Sequence, residues 1–275
     1  MHGAHGANAV RGGKAGMKKV FYYTDLLEDD FAGNDIQRQP LPEDFSYRIE
    51  GALQRGAAFF LHHFIATPIV FAVQKLYYRE KIVNRRCIRP YLGKGVYLYG
   101  NHTRSAGDAF APHLVTFPYK SYIVVGAETF SLPGLRWIVK ALGAVPLPQT
   151  MAQTREFSGA LRSFAEEGAP VAIYPEAHIW PYYTQIRPFA EASFAYPVRY
   201  EKPAFAFTAT YQKTAFRRRP RTTLYVDGPF FADPTLSPGQ QRKELRDRVY
   251  AAMCARAEAS SFAYVAYYPA EKSRD

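Results

Sequence analysis

The chain has 275 residues, enough for one large α/β domain or two small ones with a sizeable core. Its 48% hydrophobic and 21% charged residues exclude a disordered chain. Thirty-five Lys+Arg against 24 Asp+Glu give +11, an excess that attracts phosphate-bearing partners: nucleic acid, an anionic bilayer surface or phosphorylated small molecules. The 21 Tyr and 20 Phe suit a membrane interface and single-stranded RNA equally, so composition does not separate those two. Two cysteines far apart, Cys87 and Cys254, exclude a disulfide framework and a Cys-rich zinc site and fit a reducing compartment.

Residues 1–16 are rich in Gly, Ala and His and have no apolar run, so they do not read as a secretory signal. With Met17-Lys18-Lys19 resembling an alternative start, residues 1–17 are expected to be a disordered extension. Residues 18–50 are acidic at Glu28-Asp29-Asp30 and interrupted by Pro40 and Pro42. The most apolar stretch follows, from Ala57 to Val73, and leads into a basic run of Lys75, Arg79, Lys81, Arg85, Arg86 and Arg89. A membrane-spanning helix needs ~20 mainly apolar residues. This stretch is shorter and carries His62, His63 and Pro68, so it reads as an interfacial or re-entrant helix whose basic flank faces anionic head groups. A core helix of a soluble domain is the competing reading. Residues 18–92 are thus expected to be a helical membrane-associating segment.

From residue 95 strands and helices alternate. Residues 95–99 read as a strand, Asp108 onward as a helix, 121–125 as a strand, and 134–142 as a helix opened by Pro133. Residues 144–147 form a short strand. A helix over 153–167 follows, with Phe157, Ala160, Leu161 and Phe164 on one face, then a strand over 170–174. Two further strands cover 204–210 and 223–226, with the basic knot Arg217-Arg218-Arg219-Pro220-Arg221 in a loop between them. A last helix over 238–260 carries Leu245, Val249 and Met253. This order predicts an α/β fold: a mixed sheet flanked by helices over residues 93–262, preceded by the apolar helical element and followed by a tail, 263–275.

The chemistry is concentrated in two blocks. The first, Gly100-Asn101-His102-Thr103-Arg104-Ser105-Ala106-Gly107-Asp108, follows a strand directly. Transfer of an acyl group to a hydroxyl needs a base near neutral pKa, and a carboxylate on its other ring nitrogen to fix the tautomer. On one continuous helix His102 and Asp108 would sit ~240° apart, so the loop must fold back, and Gly107 is expected to supply the backbone freedom. The alternative makes Asp108 only a helix N-cap and His102 a loop-end hydrogen-bonding residue. The second block, Tyr174-Pro175-Glu176-Ala177-His178, ends another strand, and ligands of α/β sheets gather at the carboxyl ends of strands.

Together these blocks resemble the glycerolipid (1-acyl-glycerol-3-phosphate, or lysophospholipid) acyltransferase family, which carries Asn-His-x4-Asp after one strand and Pro-Glu-Gly-Thr after another. Three further segments match in order: Phe130 to Trp137, Leu142-Gly143-Ala144-Val145-Pro146-Leu147, and Lys202-Pro203-Ala204-Phe205. The resemblance runs from about residue 50 to 260. It implies that His102 is the general base and Asp108 its orienting partner. Asn101, Thr103, Arg104, Glu176 and Arg187 are implied to bind substrate or shape the site. The implied acyl donor is acyl-CoA or acyl carrier protein, with no further cofactor or metal. The acceptor is a lysophospholipid or related lipid, and the location is the cytoplasmic face of a membrane, peripheral or monotopic.

The departures concern the acceptor. The His–Asp spacing is one residue longer than the family's. Pro148-Gln149 stand where the family has Asp-Arg, and Ala177-His178-Ile179 where it has Gly-Thr-Arg. A phosphate needs guanidinium or ammonium donors, and Arg104, Arg155 and Arg187 flank the blocks as substitutes. Backbone N–H groups near the loop are the expected oxyanion donors. Ser105 lacks the Gly-x-Ser-x-Gly setting of a nucleophile. Trp180-Pro181-Tyr182-Tyr183 either lines an acyl groove or packs a loop.

Two rival readings stand beside this one. His102, Asp108, Glu176 and His178 would make a metal site only without any His-x3-His or His-Glu-x-x-His pattern, and His62 and His63 point to different helix sides. A non-enzymatic protein binding anionic lipid or nucleic acid fits the charge, but no RNA-binding aromatic motif or helix-turn-helix is present.

Overall fold

A computed structural model describes residues 19–33, 40–104, 107–131, 134–215 and 217–270. Ser105, Pro133 and the N-terminal extension lie outside the described residues. The strands are β1 Lys19–Tyr23, β2 Lys81–Val83, β3 Val96–Gly100, β4 Tyr122–Val125, β5 Ala144–Pro146, β6 Pro170–Ile173, β7 Ala204–Thr214, β8 Arg217–Phe230 and β9 Val265–Pro269. The helices are α1 Ala52–Tyr77, α2 Ala111–Thr116, α3 Arg136–Ala141, α4 Met151–Glu166, α5 Ala195–Arg199 and α6 Pro238–Ala257.

Seven strands form one sheet in the order β2-β8-β7-β3-β6-β4-β5, parallel throughout except for the antiparallel β7–β8 pair. Strands at the centre of a parallel sheet are covered on both faces, which explains why β3 and β6 are buried at every residue and read as continuous apolar runs. Side-chain alternation divides the core in two. Tyr97, Tyr99, Val171 and Ile173 face Phe157, Leu161 and Phe164 of α4 and Leu245, Val249 and Met253 of α6. Val96, Leu98, Ala172 and Phe205 face Ile88 and the α2 residues Ala111 and Val115. Thr150 caps α4 by accepting from the Gln153 N–H, and Ser237 and Gln240 form a capping box on α6. The fully buried Leu161 anchors α4 to the sheet, and truncation to Ala would destabilise the fold by roughly 2–5 kcal/mol.

The mixed α/β sheet expected from the sequence is present, with four local differences. Residues 217–221 are not a loop: β8 starts at Arg217 and continues the hairpin with β7 as far as Thr214↔Arg217. Pro220 sits where the register shifts between Gln212 and Thr214, the kind of irregular position where a strand tolerates proline. Helix α2 begins at Ala111 rather than at Asp108, because residues 107–110 form a turn in which the Asp108 N–H donates to the Arg104 carbonyl. Segment 18–92 is not only helical: it supplies β2 to the main sheet and β1, which pairs in parallel with β9 from the 263–275 tail. Phe21, Phe31, Trp180, Tyr264 and Val265 close a small aromatic core beneath that pair. The apolar helix extends beyond residues 57–73 at both ends, to 26 residues. Ala58, His62, Val70 and Gln74 form its buried stripe, at multiples of four residues, while Leu53, Phe59, Phe60, Phe64, Ile69 and Leu76 stand exposed.

Candidate functional site

Strands β3 and β6 are hydrogen-bonded neighbours, with Tyr99 opposite Ile173, so their carboxyl ends bring the two blocks together. Asn101 holds the end of β3 in place. Its amide oxygen accepts from the Ala209 N–H (2.8 Å) and its amide nitrogen donates to the Ala209 carbonyl (3.0 Å), imitating one more rung of the β3–β7 ladder. Asn101 is therefore buried as a structural clamp.

His102 Nδ1 lies 2.9 Å from Asp108 Oδ2, so the loop does fold back. The same oxygen accepts the N–H groups of Thr103 (2.8 Å) and Arg104 (2.9 Å), and Oδ1 accepts Arg104 Nε (3.0 Å). Burial works to raise the Asp108 pKa, but the Arg104 guanidinium and the His102 contact outweigh it, and the group ends below its usual value. An ionised carboxylate can only accept, so His102 Nδ1 carries a proton, and in the neutral tautomer this selects, the lone pair lies on Nε2. Among the described residues Nε2 has no hydrogen-bond partner, and the side chain is 19% exposed against 1% for Asp108. Asp108 does not cap α2; the cap position belongs to Phe110, which has no side-chain cap bond.

Gly107 matters for space and not for backbone freedom. A Cβ there would meet Arg104 Cβ, Arg104 Cδ and the Tyr78 ring at 3.2 Å each, with no positive φ involved. Tyr174 forms the floor of the site: its ring stacks on the His102 imidazole at 4.6 Å, and its hydroxyl donates to the Asp108 carbonyl at 2.5 Å. Thr103 is fully buried, with Oγ1 2.6 Å from the Tyr211 hydroxyl.

Of the three arginines expected near a phosphate, Arg104 and Arg187 are turned inward. Arg104 bridges Asp108 and Glu80, with Nη1 2.5 Å from Glu80 Oε2 and both side chains 1% exposed. Burial raises the Glu80 pKa, and Arg104 only partly offsets this. Arg187 Nη2 lies 3.5 Å from Glu176 Oε2 and also donates to the carbonyls of Glu176 (3.2 Å) and His178. Burial leads in both partners of this pair, pushing Glu176 up and Arg187 down. Ionic groups this buried act through geometry: moving one would strand the other's charge. Arg155 stands exposed on α4.

Glu176 also holds the His102 loop, accepting the His102 N–H on Oε2 and the Arg187 N–H on Oε1, each at 3.0 Å. The N–H groups of His102, Thr103 and Arg104 are thereby all engaged by carboxylates, so these three are not the oxyanion donors expected from the loop. Trp180 packs the β1–β9 aromatic core and does not line a groove. His178 contacts Asp30, Nδ1 to Oδ2 at 3.8 Å, away from any ligand cluster with His102. An apolar cavity of about 170 Å³ is lined by Ala109 and Phe110, which follow Asp108 in sequence, and by residues of α1, β4 and α3.

Sequence reasoning missed Glu80, Tyr174 and Tyr211. Glu80 carried one signal, being the lone acid inside the basic run from Lys75 to Arg89.

Comparison with known proteins bears on this arrangement. The sequence model of the acyltransferase family matches residues 74–203. No curated protein matches the chain. Among solved structures the chain is similar to the 1-acyl-sn-glycerophosphate (LPA) acyltransferase PlsC of Thermotoga maritima, at 15% identity and a TM-score of 0.48, covering 77% of this chain and 97% of that one. The matched segment contains the imidazole, its carboxylate and the Glu176 brace, and over it the chain is similar to the acyltransferase family.

Proposed function

We propose that this protein is an acyltransferase that moves a fatty acyl group from a thioester, acyl-CoA or acyl carrier protein, to a hydroxyl of a lysophospholipid or related lipid at a membrane surface. The observation that carries the reading is the His102–Asp108 contact at 2.9 Å at a strand end, with Nε2 unpartnered among the described residues. In this mechanism Nε2 takes the proton of the acceptor hydroxyl as its oxygen bonds to the thioester carbonyl carbon. The C–S bond then breaks, and the departing thiolate takes that proton back from the imidazolium. Asp108 stabilises the imidazolium formed in between. Arg104, Glu80, Glu176 and Arg187 position this pair and do not touch the acceptor. Asn101 and Thr103 act the same way, one clamping β3 to β7 and the other packed on Tyr211.

Membrane association is supported by α1. At 1.5 Å per residue it is roughly 39 Å long. One stripe docks on the domain while a wide apolar face stays exposed, and Lys75, Arg79 and Lys81 stand exposed at its end. This suits a helix lying in the head-group region with its basic end on anionic lipid.

The test is incubation of purified protein with labelled acyl-CoA, and separately labelled acyl carrier protein, against a panel of lyso-lipids in mixed vesicles. Label is expected on one acceptor class, lost on His102→Ala while vesicle binding survives. Vesicle binding without turnover from any donor would replace the enzyme reading with that of a lipid-binding protein. Serine at Phe60 and Phe64 is expected to weaken co-sedimentation with anionic vesicles; unchanged sedimentation removes α1 from the membrane contact.

A further inference from the structure

The β7–β8 hairpin ends in a basic segment for which the acyl-transfer chemistry has no use. Residues 212–222 carry Lys213, Arg217, Arg218, Arg219 and Arg221 and no acid. Lys213, Arg218, Arg219 and Arg221 stand exposed, and no carboxylate among the described residues pairs with them. Like charges crowded without a counter-charge repel one another, a cost that an anionic partner reverses.

An apolar stripe of α1 leads to the same place. Ile65, Ile69, Val73 and Tyr77, four residues apart in turn, are exposed, and the Arg219 guanidinium lies over the Tyr77 ring at 4.4 Å. Two backbone links hold the hairpin there. The Thr222 N–H donates to the Tyr78 carbonyl at 3.3 Å, and Lys81 of β2 pairs with Thr223 of β8. Lys75 and Arg79 are exposed at this end of α1 as well. Residues 52–77 contain no acid, and Glu80 just beyond them is buried against Arg104, so no carboxylate of this stretch offsets the cations at the surface. The basic and the apolar surfaces therefore meet at Tyr77.

We propose that the end of the β7–β8 hairpin is a second membrane-contacting element, whose cations dock on the phosphate layer of an anionic phospholipid bilayer while the α1 stripe enters the hydrocarbon beside them. The proposal rests on the membrane-surface reading of α1 above and adds to it an electrostatic arm from a distant part of the chain, which makes attachment selective for anionic lipid. Guanidinium groups suit this partner because they bond phosphate oxygens in pairs. A bilayer is favoured over a nucleic acid because it satisfies both surfaces at once. Nucleic acid offers phosphates to Arg218, Arg219 and Arg221 but no hydrocarbon to cover Ile69, Val73 and the neighbouring Leu76, which is 74% exposed.

The experiment is co-sedimentation of the full chain with vesicles of phosphatidylcholine alone and of phosphatidylcholine mixed with phosphatidylglycerol. Wild type is expected to prefer the mixed vesicles and to lose that preference as salt is raised. A cation at an anionic surface contributes about fivefold. The combined Arg218→Ala, Arg219→Ala and Arg221→Ala variant is therefore expected to bind mixed vesicles on the order of 100-fold more weakly, with little change on phosphatidylcholine. Lysine at the same three positions keeps the charge and is expected to retain most of the binding, which separates electrostatics from damage to the hairpin. Equal wild-type binding to both vesicles overturns the proposal while leaving α1 as a membrane contact, and this result needs no variant. Undiminished binding of the folded alanine variant to mixed vesicles overturns it too. So does binding of a single-stranded RNA oligonucleotide that the alanine variant loses while its vesicle binding stays intact, which would give the hairpin to nucleic acid. Absence of wild-type binding to either vesicle overturns the membrane reading itself.

Discussion

The carboxylate of Glu176 accepts the main-chain N–H of His102 at 3.0 Å, across 74 residues of sequence. Its other oxygen holds the Arg187 N–H, so one buried side chain at the end of β6 ties down the loop that carries His102. The motif glutamate therefore acts on the backbone behind the imidazole.

Glu176→Ala removes this tie and strands the buried Arg187 guanidinium. A loss of about 3–5 kcal/mol is expected, read as a lower urea midpoint with an unchanged slope. Glu176→Gln keeps an amide oxygen to accept the His102 N–H and is expected to retain more stability, with kcat lowered more than KM is raised. Equal stability of Glu176→Ala and wild type would show that the tie is unimportant.

Asp108→Asn keeps the shape but lets an amide N–H face His102 Nδ1, favouring the tautomer whose Nε2 carries the proton and cannot act as base. kcat is expected to fall on the order of 10²–10⁴-fold. The variant should also be less stable, because Arg104 then has only Glu80 as an anionic partner. Steady-state kinetics on folded protein, checked by circular dichroism, measure both effects. A kcat within threefold of wild type would remove Asp108 from the mechanism.

The stability of the fold should decline in acid, in two stages. His62 and His113 have folded-state pKa values lowered to about 4 and about 3 by burial, against an ordinary 6.5. As pH falls below about 6.5 the unfolded chain takes up protons that the folded chain refuses, so stability is lost from there downward, with a limiting slope of roughly 1.4 kcal/mol per pH unit for each ring. Asp108, held below its usual 3.8 although burial alone would raise it, adds a further loss as pH falls from about 4 through its folded-state value. Glu80 and Glu176, raised chiefly by burial, change in the opposite sense. Thermal melts between pH 7 and 4 should show a shallower decline in His62→Leu than in wild type. Parallel curves would mean that His62 does not titrate as described.

Gly107→Ala places a Cβ 3.2 Å from Arg104 and Tyr78, pressing on the Arg104 that holds Asp108. Overpacking at such a position is expected to destabilise by roughly 1–3 kcal/mol and to lower activity by displacing Asp108 from His102. Gly159, on the open side of α4 with nothing near its Cβ, is the control: Gly159→Ala should be neutral or stabilising. Equal effects at the two positions would contradict the close-approach role of Gly107.

The sequence by itself determined the alternation of strands and helices and the placement of His102 and Glu176 at strand ends, while the pairing of His102 with Asp108 was an expectation carried by the family resemblance. Such features depend on short-range periodicity, on Gly and Pro punctuation and on chemistry within a few residues. What Arg104, Arg187, Asn101 and Thr103 do was decided only by the tertiary structure. Sequence presents them as free polar groups near a motif, whereas β3 lying between β6 and β7 buries each against a partner from another segment. Glu80, Tyr174 and Tyr211 entered the site the same way, and tertiary packing also brings His62 against His113 across 51 residues. Burial is a property of which segments pack together, and a polar side chain changes from a ligand donor to a structural brace once water is removed and a counter-charge or hydrogen-bond partner stands against it.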